Sequence, residues 1–201
     1  MAQLPTKIAA FFAASQKPVV YFAHPMSTYG SKLEKRIIKR LQAMGYEVFN
    51  PGAGWVQKEV RAYRKANPNN YMQLFKLICD ACQVCAVLPF PADLDMGDDT
   101  PEPVGNPTPL RDEDEIDVED IADLESPRPP MQHQPKAQPS PLLGAGVCYE
   151  MDTFFNRPAP VIVVKVEADG RLSMQQVTGF SGFRKLSIAE TRFALKQYRP
   201  E

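Results

Sequence analysis

The sequence predicts an α/β fold in which a mostly parallel sheet carries helices on both faces. Short runs of β-branched and aromatic residues alternate along the chain with longer segments whose apolar residues recur at helical spacing. This alternation is typical of parallel sheets, because each strand needs a crossover before the chain can enter the next. With 201 residues, 44% of them hydrophobic, the chain can build one well-buried core. We therefore expect a single domain.

The first half of the chain supplies three of the predicted strands. We interpret the N-terminal stretch before Pro18 as the first helix of the fold and not as a signal peptide, because its apolar patch leads directly into a strand. The spacing of apolar residues predicts strands at Val19–Ala23, Glu47–Phe49 and Val84–Leu88, and helices at Ser31–Met44, Trp55–Ala66 and Tyr71–Asp80.

The second half adds a helix, a hairpin and a final helix. Asp169-Gly170 is a strong hairpin signal, so the strand that follows it should return antiparallel. The last helix begins at Ser187, whose spacing to Glu190 is that of a capping box. The other elements are a helix that opens at Gly144–Gly146 and runs to Phe155, a strand at Val161–Val166 and the return strand at Arg171–Val177. Their order is that of Rossmann-like and flavodoxin-like domains.

Residues 91–141 interrupt this alternation. They hold 14 acidic and 3 basic residues, a local charge of −11, whereas the remainder of the chain carries +10. They also hold 11 of the 20 prolines, and a segment of this composition has too little apolar surface to offset the entropy lost on ordering. We therefore expect residues 1–90 and 142–201 to form one domain, with 91–141 as a disordered insertion in a surface loop.

Apolar runs and cysteine usage indicate a cytoplasmic protein. The longest apolar runs are far shorter than the roughly 20 residues needed to cross a bilayer, so we expect no membrane span. Four cysteines without a secretory signal are typical of free thiols in a reducing compartment.

Three of the cysteines have a spacing that also occurs at metal sites. Cys79, Cys82 and Cys85 form a C-x-x-C-x-x-C motif, but no fourth ligand follows at the spacing of iron–sulfur proteins. If the segment after Cys82 is a strand, Cys82 and Cys85 point to opposite sides of it. We expect buried thiols and no metal.

The loops after the predicted strands are the candidate ligand site, because open α/β sheets bind ligands beyond the carboxyl ends of their strands. The loop from Ala23 through His24, Met26 and Ser27 precedes a helix, so free backbone N–H groups could bind a phosphate or a sugar hydroxyl. The alternative is a plain polar loop that leads to an N-cap at Ser31. Neither a Walker motif nor G-x-G-x-x-G is present, and no cofactor is expected.

Glu150 is the carboxylate that stands out. It lies about one helical turn past Gly146, among Val147, Met151 and other apolar residues. A charged residue in such a segment needs a reason. Spacing alone leaves two interpretations, a catalytic carboxylate or a capping or surface glutamate, and favours the second.

Four stretches together carry a family resemblance: VVYFAHPM, GYEVFNPGAGW, CDACQVCAVLPF and GVCYE. They resemble motifs of the nucleoside 2-deoxyribosyltransferases and of their relatives that hydrolyse deoxynucleoside monophosphates. The resemblance covers nearly all of the chain outside the insertion. It implies cleavage or exchange of an N-glycosidic bond, with Glu150 as the nucleophile and Tyr21 as the residue that orients it. A carboxylate attacking an anomeric carbon is the two-step chemistry of retaining glycosidases.

The resemblance also implies a substrate site, from which the chain departs at two positions. Gly144 stands where the family carries an aspartate, and Asn69, Asn70 or Met72 stands where it carries another. Asp80 is either the remaining acid or a structural residue at a helix end. His24 is a candidate for phosphate contact or for protonation of the leaving base, whereas His133, in the insertion, should be inert. The expected substrate-binding residues are Ala23, His24, Met26, Ser27, Asn50, Gly52, Trp55, Asp80 and Gly146.

The sequence leaves two functions open. One is an enzyme that acts on the N-glycosidic bond of a nucleoside or nucleotide, and the other is a non-catalytic domain that senses a nucleotide-derived ligand. We do not expect nucleic acid as a partner, because the lysine stripe of the helix after Ser31 is typical of a solvated face. Homo-oligomerisation stays open, and the acidic insertion is either a passive loop or a mask over the site.

Overall fold

A five-stranded sheet lies at the centre of the computed structural model, which describes residues 3–68, 72–96 and 140–200. The strands of this sheet are β1 (Val19–Ala23), β2 (Glu47–Phe49), β3 (Val84–Val87), β5 (Val161–Val166) and β6 (Leu172–Val177), and the short strands β4 (Leu142–Leu143) and β7 (Arg184–Lys185) pair with each other outside it. The sheet order is β2-β1-β3-β5-β6. The first four strands are parallel and β6 is antiparallel to β5.

Helices cover both faces of this sheet. The faces separate by alternation along β1. Val20 and Phe22 pack against the helix at Lys32–Ala43, whereas Val19, Tyr21 and Ala23 face the helices at Thr6–Ala14, Gly54–Ala66, Met72–Ala81 and Ala145–Phe155. The prediction of an α/β fold with a mostly parallel sheet is confirmed. The helices are α1 (Thr6–Ala14), α2 (Lys32–Ala43), α3 (Gly54–Ala66), α4 (Met72–Ala81), α5 (Ala145–Phe155) and α6 (Ile188–Gln197), and a 3-10 turn spans Met26–Thr28.

Most local signals in the sequence correspond to the observed elements. Ser31 accepts a hydrogen bond from the Glu34 N–H at the start of α2, and Ser187 and Glu190 form the predicted capping box of α6. Gly170 has φ +78° in the turn that returns β6 antiparallel to β5. The interval between the predicted helices Trp55–Ala66 and Tyr71–Asp80 lies partly outside the described residues, since 69–71 are not among them.

The two ends of the insertion meet in a bridge that the sequence does not predict. Phe90 and Leu142 exchange backbone hydrogen bonds of 2.9 and 3.2 Å. Leu94 and Met96 pack against the cluster that these two residues form with α6, so the insertion joins the packed structure up to residue 96. Residues 97–139, on which the prediction of disorder rests, lie outside the described residues.

No helix in the described part of the chain is long and apolar enough to cross a membrane.

Candidate active site at the carboxyl edge of the sheet

The connections after β1, β2 and β3 leave the sheet at the same edge, because the three strands are neighbours and parallel. The connections from β1 and β3 then run to opposite faces, since α2 covers one face and α5 the other. An edge at which the connections diverge in this way is where open α/β sheets bind ligands. The amino end of α5 lies at this edge too, because Gly144 is in contact range of Phe90, just past β3.

A tyrosine–glutamate pair lies beneath this edge. The Tyr21 hydroxyl, fully buried in β1, donates a short hydrogen bond to Oε1 of Glu150 on α5. The two residues are 129 positions apart in the sequence, and the α5 helix turns Glu150 toward the sheet face that carries Tyr21. The structure therefore brings together the two residues that the resemblance implies for catalysis.

The electrostatics of Glu150 differ from those of a surface glutamate. Burial raises the pKa of the Glu150 carboxyl to about 7, and the hydrogen bond from Tyr21 opposes part of that rise. Burial, together with the Glu150 charge, also raises the pKa of Tyr21 well above its ordinary value, so Tyr21 stays a hydrogen-bond donor. A carboxylate whose pKa lies near neutral pH changes its charge in the range where enzymes use such groups.

His24 is a structural member of the site. Its imidazole is fully buried, with Nδ1 2.5 Å from Thr28 Oγ1 and Nε2 3.1 Å from Asn50 Oδ1. Burial lowers the pKa of His24 to about 4, although the Asn50 hydrogen bond and the Glu34 charge act in the other direction. His24 is therefore neutral at physiological pH. It has no exposed nitrogen for a phosphate or a leaving base, which corrects the role that the sequence suggests.

Asn50 and Glu34 extend this network into the loop after β2. The Asn50 amide donates to Glu34 Oε1 at 3.0 Å, and its oxygen accepts from the Gly52 N–H at 2.8 Å. These two partners fix which side of the amide is the oxygen, so Nε2 of His24 must be the donor toward it. The network joins the loops after β1 and β2 into one buried unit that shapes the site.

Two site residues, Glu34 and Tyr29, were missed by the sequence reasoning. Glu34, in the first turn of α2, is only 5% exposed, and its Oε2 accepts from the Gly30 N–H at 2.7 Å. Its spacing to Ser31 is that of a capping box, the only signal the sequence holds. The half-buried Tyr29 ring stands edge-on to His24, and burial between Glu150 and Glu34 raises its pKa.

Position 52 needs a glycine because the side chains of Glu34 and Tyr29 lie close to its Cα. A Cβ added to Gly52 would lie 2.7 Å from Glu34 Oε1 and 2.8 Å from the Tyr29 ring. Any side chain at this position would have to displace one of them. Gly52 thus acts by leaving room and through its N–H.

The remaining expected residues differ in their exposure at the rim of the site, the surface around the carboxyl edge of the sheet. Met26 is 64% exposed and Trp55 is 38% exposed, so both can meet a ligand; Gly146 is exposed in the first turn of α5. Ser27 Oγ is buried and has no hydrogen-bond partner among the described residues. Ala23 is buried at the end of β1 and contributes backbone only.

Asp80 is not brought to this edge. It lies in the last turn of α4, immediately before the chain enters β3, and therefore at the opposite edge of the sheet. Its carboxylate pairs with Lys76 at 2.6 Å on the surface. These contacts are those of a structural residue at the end of a helix. Asn69 and Asn70 lie outside the described residues.

The three clustered cysteines are buried free thiols on one side of the sheet. The expectation that Cys82 and Cys85 point apart is wrong, because Cys82 precedes β3 and does not follow its alternation. Burial raises the pKa of each thiol. In residues 3–68, 72–96 and 140–200, no group of three potential ligands is placed to hold a metal ion.

Comparisons of the chain with protein-family models, with curated proteins and with solved structures gave no match.

Proposed function

We propose that this protein cleaves or exchanges the N-glycosidic bond of a nucleoside or nucleotide through a glycosyl ester on Glu150. The observation that carries the proposal is the hydrogen bond between the fully buried Tyr21 hydroxyl and the half-buried Glu150 carboxylate. A carboxylate in apolar surroundings lowers the stability of the fold. A protein that retains one there is expected to use it for a function. The place of Glu150 at the diverging edge of an α/β sheet supports a catalytic one.

The proposed reaction has two displacement steps. An ionised oxygen of Glu150 forms a bond to the anomeric carbon, the carbon–nitrogen bond breaks, and its electron pair leaves with the base, which takes a proton from solvent. Water or a second base then attacks the same carbon and releases Glu150. Water gives hydrolysis and a second base gives transfer, and both retain the anomeric configuration.

Tyr21 has the positioning role in this scheme. Its hydroxyl occupies one oxygen of Glu150 and holds the carboxylate in one orientation, which leaves the other oxygen for attack. Met26 and Trp55 would contact the sugar or the base from the rim, where both are exposed. No cofactor is part of the proposal, and a reducing compartment such as the cytoplasm fits the four free thiols.

The deciding experiment is base release from a panel of deoxynucleosides and their monophosphates, measured by chromatography. We expect the full-length protein to release free base from at least one of them, and Glu150→Gln to lose at least about 100-fold of that rate. Asp152→Asn is the matched control, because Asp152 is exposed two residues further along the same helix. It should keep the wild-type rate.

Two results would contradict the proposal. Near wild-type turnover by Glu150→Gln would exclude Glu150 as the nucleophile. If no substrate is turned over but nucleotides raise the melting temperature, the protein is a ligand-sensing domain instead.

A further inference from the structure

A groove lined by basic side chains runs along α2 on the face of the sheet opposite Glu150. It is a shallow, open depression of about 460 Å³ whose lining includes Arg36, Lys39 and Arg40 from α2, and Arg171 and Leu172 from the hairpin between β5 and β6. Arg36 reaches across it and donates to the Gly170 carbonyl at 2.5 Å.

The basic charges of α2 have no carboxylate partners in the described part of the chain. Lys32, Lys35, Arg36, Lys39 and Arg40 are all exposed, and none forms an ion pair there. Five unpaired positive charges on one helix of 12 residues repel one another and attract an anionic partner.

Two further clefts connect this groove to the ends of the insertion. One is lined by Pro91, Asp93 and Pro141 together with the end of β5 as far as Glu167. The next is lined by residues 167–173, so it shares Glu167 with the first cleft and Arg171 with the basic groove. A continuous surface therefore leads from the point where the insertion leaves the fold to α2.

The insertion contains the partner that this surface would attract. Residues 112–125 (DEDEIDVEDIADLE) carry 9 acidic residues and no basic one, with apolar side chains at Ile116, Val118, Ile121 and Leu124. The groove offers Leu172 beside its cations, and the 45% exposed Val166 lies next to it as the cross-strand partner of Leu172. Both the charged and the apolar side chains of the segment therefore have counterparts.

We propose that residues 112–125 dock in the basic groove of α2 within the same chain. The 15 residues between Met96 and the segment span up to ~50 Å when extended, whereas a compact structure of about 150 residues has a radius of gyration of only ~15 Å, so the tether can reach α2. A tether this short gives an effective concentration in the millimolar range, at which weak ion pairs suffice for occupancy. The docked segment lies on the face opposite Glu150, so the proposal does not depend on the proposed function.

Zero-length cross-linking of the intact protein tests this docking. A carbodiimide joins a lysine amine to a carboxylate only when they touch, and mass spectrometry identifies the pair. We expect intramolecular links from Lys35 and Lys39 to residues 112–125, at least about five times more abundant than links from Lys58 and Lys65. The latter are equally exposed lysines on α3. About 1 M salt, which shortens the screening length to ~3 Å, should abolish the difference.

A pair of double variants provides the matched control. Arg36→Glu with Arg40→Glu removes the groove's charge but keeps Lys39 as the reporter, and should cut the Lys39 link several-fold. Arg61→Glu with Arg192→Glu makes the same change in net charge at exposed positions elsewhere and should leave the link intact.

Three results would overturn the docking. The first is equal cross-linking of all exposed lysines, which means a segment without a preferred site. The second is links only between different molecules, detected with mixed isotope-labelled protein, which means a partner in trans. The third is binding of a 20-nucleotide single strand that Arg36→Glu with Arg40→Glu abolishes and neutralisation of residues 112–115 leaves unchanged. That outcome would mark the groove as a nucleic-acid surface.

Discussion

The half-buried Glu150 and the buried His24 are two titratable residues whose pKa values shift in opposite directions. The Glu150 pKa is about 7 in the fold against an ordinary 4.5, so the folded protein binds this proton more tightly than the unfolded chain. The His24 pKa is about 4 against an ordinary 6.5, so the folded protein binds that proton less tightly. As the pH rises from about 4.5 to 7, the ionisation of Glu150 should lower the free energy of unfolding. As the pH rises from about 4 to 6.5, the deprotonation of His24 should raise it.

Glu150→Gln should reveal the Glu150 contribution. The variant keeps an oxygen that can accept from Tyr21 but has no charge to bury. We expect it to be more stable than the wild type by on the order of 2 kcal/mol at pH 8, with the difference vanishing by about pH 4. Urea unfolding at several pH values measures this. Equal stability of the variant and the wild type at pH 8 would mean that burial does not raise the pKa of the Glu150 carboxyl.

His24→Gln should reveal the opposite slope. In the wild type, protonation of His24 costs stability as the pH falls from about 6.5 to 4, while protonation of Glu150 offsets it. Without His24, stability should rise by on the order of 2 kcal/mol as the pH falls from 7 to 4.5. The slope is the readout, because lost hydrogen bonds lower stability equally at every pH. A variant with the wild-type slope would contradict the shift.

Tyr21→Phe should move the pH dependence of catalysis. The hydrogen bond from Tyr21 holds the Glu150 pKa down, so its removal should raise that pKa further above about 7. Base release in the proposed reaction needs ionised Glu150, so it should then begin at higher pH and be slower at pH 7 by about 10-fold or more. The pH profile of kcat checks this, since a purely structural defect would lower the rate without moving the profile.

At the scale of secondary-structure elements, Arg157 fixes the position of α5 relative to α4. Its guanidinium follows α5 and donates to the Cys79, Asp80 and Cys82 carbonyls at 2.5 to 2.9 Å, so it caps the carboxyl end of α4. It also stacks over Phe154 with 4.4 Å to the ring centroid. α4 and α5 are thereby held side by side, with Glu150 between α5 and the sheet.

Arg157→Ala should destabilise the protein by about 2–4 kcal/mol, because it leaves three carbonyls at a helix end without their donor. Arg157→Lys keeps the charge but cannot reach all three, so its loss should be intermediate. Arg192→Ala, at an exposed position on α6, is the control and should change stability by less than about 0.5 kcal/mol. Urea denaturation measures all three, and an Arg157→Ala value near that of the control would refute the cap.

At the scale of the whole molecule, the insertion is closed off at its base. The Phe90–Leu142 bridge and the packing of Leu94 and Met96 hold its two ends independently of what lies between them. The folded core therefore does not need residues 97–139 for its closure.

Replacing residues 98–139 by a ten-residue Gly/Ser linker should leave the fold intact and stabilise it slightly. Shortening a loop from about 43 to about 10 residues lowers its closure entropy cost by roughly 1 kcal/mol. Thermal unfolding measures this, and the variant should melt within a few degrees of the wild type. A large loss of stability would show that the insertion contributes to the core. A deletion that begins at Pro91 is the contrasting variant and should be clearly less stable, because it removes Leu94 and Met96.

Local signals in the sequence were sufficient for most elements. Alternation and helical spacing predict the parallel strands and the helices that cover them, Asp169-Gly170 predicts the antiparallel return, and Ser187 predicts the start of α6. These succeed because hydrogen-bonded turns, caps and amphipathic periods are properties of neighbouring residues. Strands β4 and β7 were not predicted, because each has only two residues and a run this short shows no alternation.

What the sequence by itself determined is the fold class, an α/β fold with a mostly parallel sheet. The ligand site at the carboxyl edge and, through the resemblance, the candidates Tyr21 and Glu150 are its predictions. Only the tertiary structure decided which residues meet there. It buried His24, brought in Glu34 and Tyr29, and left Asp80 at the opposite edge. The physical reason is that the pKa and the accessibility of a side chain depend on neighbours far away in the chain, and no local pattern records them.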